Sequence, residues 1–206
     1  FGSKGLPIAH QRLVTDQVPV KKFVGCIFSN ELVDSFPVHR FQIQQGLVKE
    51  VYVSVEGGKF VELLGDPSTG LLTEYLGAIR GPLPDGYRGE VNLRVKPWMD
   101  QVSEALESGF VVTIDYGDTV DNLYSPTRES GTLQTFYRHT DGASPYKRIG
   151  RQDMTSHVNF SDIVLHGETV GIKPIGFFTQ AEFLYRLGIQ NWMQKLRYEK
   201  LVQSER

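Results

Sequence analysis

Two short apolar runs constrain this chain more than any other feature. Phe23-Val24-Gly25-Cys26-Ile27-Phe28 and Phe110-Val111-Val112-Thr113-Ile114 are continuous rather than alternating. The first leads into Asn30, Glu31 and Asp34; the second leads into Asp115, Tyr116 and Gly117. Such a run reads as a strand buried on both faces, the habit of parallel sheets. Cys26, in the middle of the first, is expected in the core rather than as a nucleophile. A helical pattern precedes the second run: Pro97 fits its first turn, Trp98, Val102, Ala105 and Leu106 give an apolar face, and Gly109 is the expected stop. Helix, glycine, apolar strand and acid, in that order, point to an α/β layer fold. In open α/β sheets the loops after the strand C-termini form the binding crevice, so the acids have a functional address.

The pattern changes between the runs. Val38–Ile43, Val48–Val55 and Phe60–Leu64 predict an antiparallel meander of three strands, punctuated by Gly46 and Gly57-Gly58. Val51, Val53 and Val55 alternate with Tyr52 and Ser54, which predicts one buried face. Residues 68–80 predict a helix with Leu71, Leu72, Tyr75, Leu76 and Ile79 on one stripe. Residues 117–160 hold few apolar stretches and are too long for a plain connector; such segments are lids, binding loops or disordered. Val158–His166 then predicts a helix with Ser161 as N-cap. Thr169–Phe178 predicts a strand, and Thr179–Leu187 a helix opened by the capping box of Thr179 and Glu182. Gln190–Val202 predicts a last helix. Residues 1–22 are a polar N-terminal segment with a weak helical stretch around Ile8–Val14.

Several function classes are excluded. A chain of 206 residues can build a core without disulfides or metals. With 22 basic and 24 acidic residues it lacks the surplus that a general nucleic-acid binder needs. One cysteine permits neither an internal disulfide framework nor a thiolate zinc cluster, and it fits a reducing compartment. Five histidines without ligand spacing give no expected metal site. No apolar run approaches the roughly 20 residues needed to span a bilayer, and no secretory signal or presequence is visible. Phe1 in place of a methionine implies processing or a missing N-terminal part. No two of the 21 glycines are spaced Gly-x-Gly, so neither a Gly-x-Gly-x-x-Gly cofactor loop nor a Gly-x-Ser-x-Gly elbow exists, and no Gly-x-x-x-x-Gly-Lys-Ser/Thr loop is present.

Six blocks, in order, carry a resemblance. They are Asn30-Glu31 with Asp34 and Pro37-Val38; Gly89-Glu90-Val91-Asn92; Thr113-Ile114-Asp115-Tyr116-Gly117; Gly131-Thr132-Leu133 through Tyr137-Arg138-His139; Gln152 through Phe160; and Thr179 through Ile189. From about residue 23 to 190 the chain resembles the MidA family of S-adenosylmethionine-dependent methyltransferases. Its mitochondrial members are protein-arginine methyltransferases that act in assembly of respiratory complex I. The resemblance implies a class I methyltransferase fold, a Rossmann-like, mostly parallel sheet with helices on both faces. It makes Phe23–Phe28 the fourth strand and Phe110–Tyr116 the fifth. The first βα units, with the acidic and Gly-x-Gly cofactor loop, are then absent from this chain, which reads as the C-terminal part. Residues 23–37 and 90–206 are expected to form the core, 38–89 a β-rich insertion, and 117–160 a substrate-side loop.

The chemistry implied is methyl transfer to a guanidinium nitrogen, with S-adenosylmethionine as cofactor. A guanidinium needs acids that fork onto its N–H groups. Glu31 and Asp34 would share a face if Asn30 caps a helical turn, or they merely decorate a helix N-terminus. Asp115 would position substrate or cofactor, or cap a turn. Tyr116 would pack over a ligand, or belong to the core. His157 would serve as a base, and Arg138 would pair with Asp153 or a cofactor carboxylate; each also has a purely structural reading. Catalytic roles are therefore assigned to Glu31, Asp34 and His157, and substrate binding to Asn30, Asp115, Tyr116 and Arg138. The expected partner is a protein substrate, with a respiratory complex subunit as candidate, and a homo-oligomer is compatible. The expected location is the bacterial cytoplasm or the mitochondrial matrix. The alternative is a non-catalytic assembly module derived from the same fold.

Overall fold

The protein is described by a computed structural model that covers residues 17–204, apart from Arg80, His139 and Ala143. The stretch Ile8–Val14 and the residues His10 and His139 lie outside the described residues. The chain divides into two units, the first ending at Ile172 and the second starting at Lys173.

The two apolar runs pair in parallel. Strand β1 (Phe23–Asn30) lies beside β6 (Leu106–Ile114), with Ile27 against Val111 and Asn30 against Ile114. Parallel pairing brings both acid-bearing ends to one edge, which is what makes a site possible there. One face of the pair, with Ile27 and Val111, packs on Val95, Trp98, Met99 and Val102 of α2 (Val95–Ala105) and on Ile163 of α4 (Phe160–Thr169).

The other face departs from the expected double burial. Val24 is 75% exposed, Phe28 62% and Phe110 59%, and Cys26 is exposed rather than core. Among the described residues of the first unit no helix lies over that face.

Gly109 has a different task from the expected one. Strand β6 begins at Leu106, directly after α2, so the helix needs no glycine stop. Gly109 sits inside the strand at φ 142°, where a Cβ would lie 1.8 Å from the Gly25 carbonyl oxygen. The glycine is required by close approach of the two strands.

The insertion is an antiparallel sheet of four strands rather than three. Its order is β4 (Lys59–Gly65), β3 (Leu47–Glu56), β2 (His39–Gln44) and β5 (Arg88–Val91). The two-residue loops Gln45-Gly46 and Gly57-Gly58 all have positive φ, as the primed hairpin turns require. The fourth strand was invisible as a pattern because it is four residues long and pairs with β2 across a long stretch of chain, Arg88 with Gln42 and Val91 with His39. Phe41, Ile43, Tyr87 and Val91 pack on Leu72 and Leu76 of α1 (Gly70–Gly77). The expected burial of the valine stripe fails beyond Val51: Val53 is 53% exposed and Val55 61%. The hairpin runs out past the helix that covers the rest of the sheet.

The described residues between 117 and 160 are folded. They hold β7 (Gly117–Asp118), α3 (Val120–Leu123), β8 (Gln134–Tyr137), β9 (Thr140–Asp141), β10 (Asp153–Thr155) and β11 (Val158–Asn159). Strand β8 lies between β10 and β9, and β11 pairs in parallel with β7. Helix α4 starts two residues after Val158, and its cap is Asn159, which accepts from the Ser161 N–H at 3.1 Å. Ser161 is thus the capped residue, not the cap.

The expected strand Thr169–Phe178 does not form: Thr169 ends α4, and the rest leads into the second unit. Residues 172–179 are irregular, and Ile175 is 80% exposed, with no pairing strand among the described residues. Helix α5 (Gln180–Arg186) carries the expected capping box, with the Thr179 side chain accepting from the Glu182 N–H and Glu182 accepting from the Thr179 N–H. Helix α6 (Ile189–Ser204) follows.

Candidate functional site

The site lies at the shared C-terminal edge of β1 and β6. After Asn30 the chain turns sharply. Glu31 adopts φ 48°, a left-handed conformation uncommon for a residue with a Cβ, while its N–H stays bonded to the Ile114 carbonyl at 2.9 Å. A 3₁₀ turn follows over Val33–Ser35. Asn30 does not cap it; the preceding residue Leu32 makes no side-chain cap either.

The cap comes from the neighbouring strand. Asp115 Oδ2 accepts from the N–H groups of Leu32, Val33 and Asp34 at 3.2, 2.9 and 3.2 Å, and Oδ1 accepts from the Tyr116 N–H at 2.9 Å. A carboxylate that collects the orphan N–H groups of a turn fixes the turn. Asp115 is thus the residue that welds the two strand ends together, which the sequence left open.

Asp34 is buried, 4% exposed, yet its Oδ1 has no hydrogen-bond partner. Burial, reinforced by the charges of Asp115 and Glu31, pushes its pKa up to about 6. Glu31, exposed beside it, accepts from the Tyr116 hydroxyl at 3.0 Å. That bond raises the Tyr116 pKa. Tyr116 itself is 58% exposed, a surface residue over the acids and not core. The structure therefore brings Asn30, Glu31, Asp34, Asp115 and Tyr116 to one edge. Glu31 and Asp34 do not stack on one helical face; the first lies outside the turn and the second inside it.

His157 belongs to a neighbouring cluster. The Ser156 N–H donates to the Asp34 carbonyl at 3.0 Å, so the loop touches the acid turn. The His157 side chain, however, is lowered in pKa by burial and by Arg128, against the pull of Glu90 and Asp118. It lines a cavity of about 20 Å³, room for one water, with Tyr75, Glu90, Asn92, Thr132 and Asn159. Arg138 lies elsewhere again, in the turn between β8 and β9, with its guanidinium 5.3 Å from the ring of Tyr137. It forms no ion pair with Asp153.

The residues around this cavity are the ones sequence reasoning missed. Glu90 Oε2 accepts from the Thr132 N–H at 2.7 Å and its hydroxyl at 3.1 Å, and the Thr132 hydroxyl accepts from the His157 N–H at 3.1 Å. Tyr75 donates to Asp162 at 2.5 Å and accepts from Asn159 at 2.9 Å. Burial raises Asp162 to about 6. The signal was present as three separate blocks, around Glu90, Thr132 and His157, but nothing in the chain told that they touch.

No group of acidic, histidine or cysteine side chains suited to a metal ion occurs among the described residues. No helix among them is long and apolar enough to cross a membrane.

Residues 6–178 match the profile of a family described as "Putative S-adenosyl-L-methionine-dependent methyltransferase". Two crystal structures from Burkholderia thailandensis are similar. One is described as a COG1565 superfamily member and "likely methyl transferase" bound to S-adenosyl-homocysteine; it is 30% identical, with a TM-score of 0.80, over 88% of this chain and 46% of that one. The other, a native structure described as an uncharacterized COG1565 superfamily protein, is 30% identical with a TM-score of 0.81, over 88% and 48%. The mixed α/β fold is theirs, and this chain spans about half of their length. Among proteins of curated function none matches.

Proposed function

We propose a function from one premise: this chain belongs to the family of "putative" S-adenosyl-L-methionine-dependent methyltransferases. On that basis it is the C-terminal part of a protein methyltransferase that modifies arginine. One observation carries the reading: Asp34 has a buried, unpartnered carboxylate oxygen beside two further acids. Leaving such an oxygen unpartnered is costly, and a cationic ligand with N–H donors removes the cost.

A positively charged group fits this donor set, whether a guanidinium or a sulfonium. The glycine loop of the cofactor site is expected outside this chain. Bound S-adenosylmethionine supplies the activated methyl group. Glu31, set outward by its left-handed backbone, accepts N–H donors from the guanidinium and orients it. Asp34 Oδ1 takes up the proton that the methylated nitrogen releases; a carboxyl raised to about 6 is a better acceptor than an ordinary one. Asp115 holds both in place through the turn it caps. Tyr116 steadies Glu31 and screens the edge. Asn30 is a substrate contact at the margin, Arg138 a more distant one on the turn between β8 and β9, and His157 a neutral hydrogen-bonding group on the loop that touches Asp34.

The finer resemblance adds the MidA family, a respiratory complex subunit as substrate, and a bacterial cytoplasmic or mitochondrial matrix location. The test uses the full-length protein. Titration with S-adenosyl-homocysteine should give saturable binding, and transfer from labelled S-adenosylmethionine should yield methylarginine in a protein acceptor. Folded protein that binds no S-adenosyl-homocysteine overturns the reading. Binding without any transfer would favour the assembly-module alternative, which the exposed Val24, Phe28 and Phe110 also suit.

A further inference from the structure

Strand β4 is an edge strand of the insertion. Its partner across the hairpin is β3, with Phe60 opposite Val55 and Glu62 opposite Val53. In a two-residue hairpin the residues flanking the turn form a hydrogen-bonded pair, and pairs then alternate. The backbone groups of Lys59, Val61, Leu63 and Gly65 therefore point inward to β3. Those of Phe60, Glu62 and Leu64 point outward, and no backbone partner for them occurs among the described residues.

The outward set is symmetric about Glu62. If a second β4 is laid antiparallel with the two Glu62 residues opposed, Phe60 falls opposite Leu64 of the other copy. Every outward residue then meets another outward residue. Val61 falls opposite Leu63 as a non-hydrogen-bonded pair, and Lys59 opposite Gly65, next to Asp66, which gives opposite charges at both ends. The side chains at the edge are apolar on both faces: Phe60 is 45% exposed, Leu63 46% and Leu64 38%, with Tyr52 and Val53 adjoining at 39% and 53%.

A charge in the centre of an edge normally blocks such pairing. Here the block is lifted. Glu62 Oε1 accepts from Arg40 at 2.5 Å and from the Tyr146 hydroxyl at 2.7 Å, and Oε2 accepts from Arg88. With Arg40, Arg88 and the Tyr146 hydroxyl on it, each Glu62 is compensated within its own copy, so the two Glu62 residues do not meet as bare anions.

We infer that a second copy of this chain docks on β4, joining two four-stranded sheets into one across a two-fold axis. The interface is isologous, as the self-complementary register demands. Stable interfaces bury about 800 Å² per partner, with the apolar residues at the centre. The seven-residue edge provides the hydrogen bonds, and the five apolar side chains around it provide the core of such a patch.

Sedimentation velocity of the full-length protein across a dilution series should show a dimer. Leu64→Pro deletes an outward N–H and leaves the ladder to β3 intact, a position where an edge strand tolerates proline. Two hydrogen bonds are lost by symmetry, and the dissociation constant should rise roughly thirtyfold. As an independent measure, Val61→Cys and Leu63→Cys proteins, each with Cys26→Ser, are mixed under mild oxidation. Opposed non-hydrogen-bonded pairs are close enough for a disulfide, so a mixed cross-link should form. A monomer at every concentration overturns the inference. So does a dimer that gives no such cross-link.

Discussion

Two carboxylates in this molecule meet opposite treatment. Glu62, on the insertion, is held by Arg40, Arg88 and Tyr146, and these partners bring its pKa down to about 2 against the opposing effect of burial. Asp34, at the strand ends, is buried without a partner for Oδ1 and crowded by Asp115 and Glu31, so its pKa is raised to about 6. Stability explains the first arrangement completely. It does not explain the second, because folding gains nothing from a buried acid beside two others. A charge cluster with no complement among the described residues is what the proposed cationic substrate would complete.

The largest expected effect breaks the comparison at its functional end. Glu31→Gln should lower kcat/KM for methyl transfer by about 10²–10³-fold with the melting temperature unchanged. Radiolabel transfer and calorimetry on the same preparation check both halves. An equal loss from Glu62→Gln would erase the distinction.

At the structural end, Glu62→Ala leaves two arginines without their carboxylate. It should cost about 1–3 kcal/mol of stability, read by urea denaturation, while transfer per folded molecule is kept.

The pH dependence sharpens the contrast, since the two acids have opposite signs. The Glu62 contribution is complete above its ordinary value of 4.5 and is lost as pH falls toward about 2. Asp34 binds its proton more tightly in the folded state. Its contribution therefore falls as pH rises from 3.8 to about 6, and the deficit persists above that. Melting temperatures of Glu62→Gln should lack the acid-side loss. Those of Asp34→Asn should lack the decline between about pH 4 and pH 6, and the variant should melt above the parent at neutral pH. The smallest effect is expected for Tyr116→Phe. It removes one exposed hydroxyl from Glu31 and should change KM by less than about tenfold, with kcat nearly kept.

Much of this was legible in the chain. The apolar runs at Phe23 and Phe110 announced two parallel strands, and their polarity put the acids at one edge. The Thr179–Glu182 capping box was readable because its two partners are three residues apart. What stayed hidden depended on partners far away in sequence. That Asp115 caps the turn at Val33 requires knowing the register of β1 and β6. That Glu90 meets Thr132 requires the fourth strand at Arg88–Val91, which four residues cannot declare, and that Tyr75 meets Asp162 requires knowing that α1 and α4 come together. The exposure of Cys26 was misread for a related reason: an apolar strand states what it can bury, and not which of its faces finds a cover.

Glu31 carries one more consequence. Its left-handed backbone costs about 1 kcal/mol or more, a cost that glycine or asparagine would largely avoid. Every copy of this chain therefore holds at position 31 a residue that folding alone would replace. Drift is directional there. A descendant that no longer needs the carboxylate gains stability by losing it, and position 31 is where the abandonment of function would first be recorded.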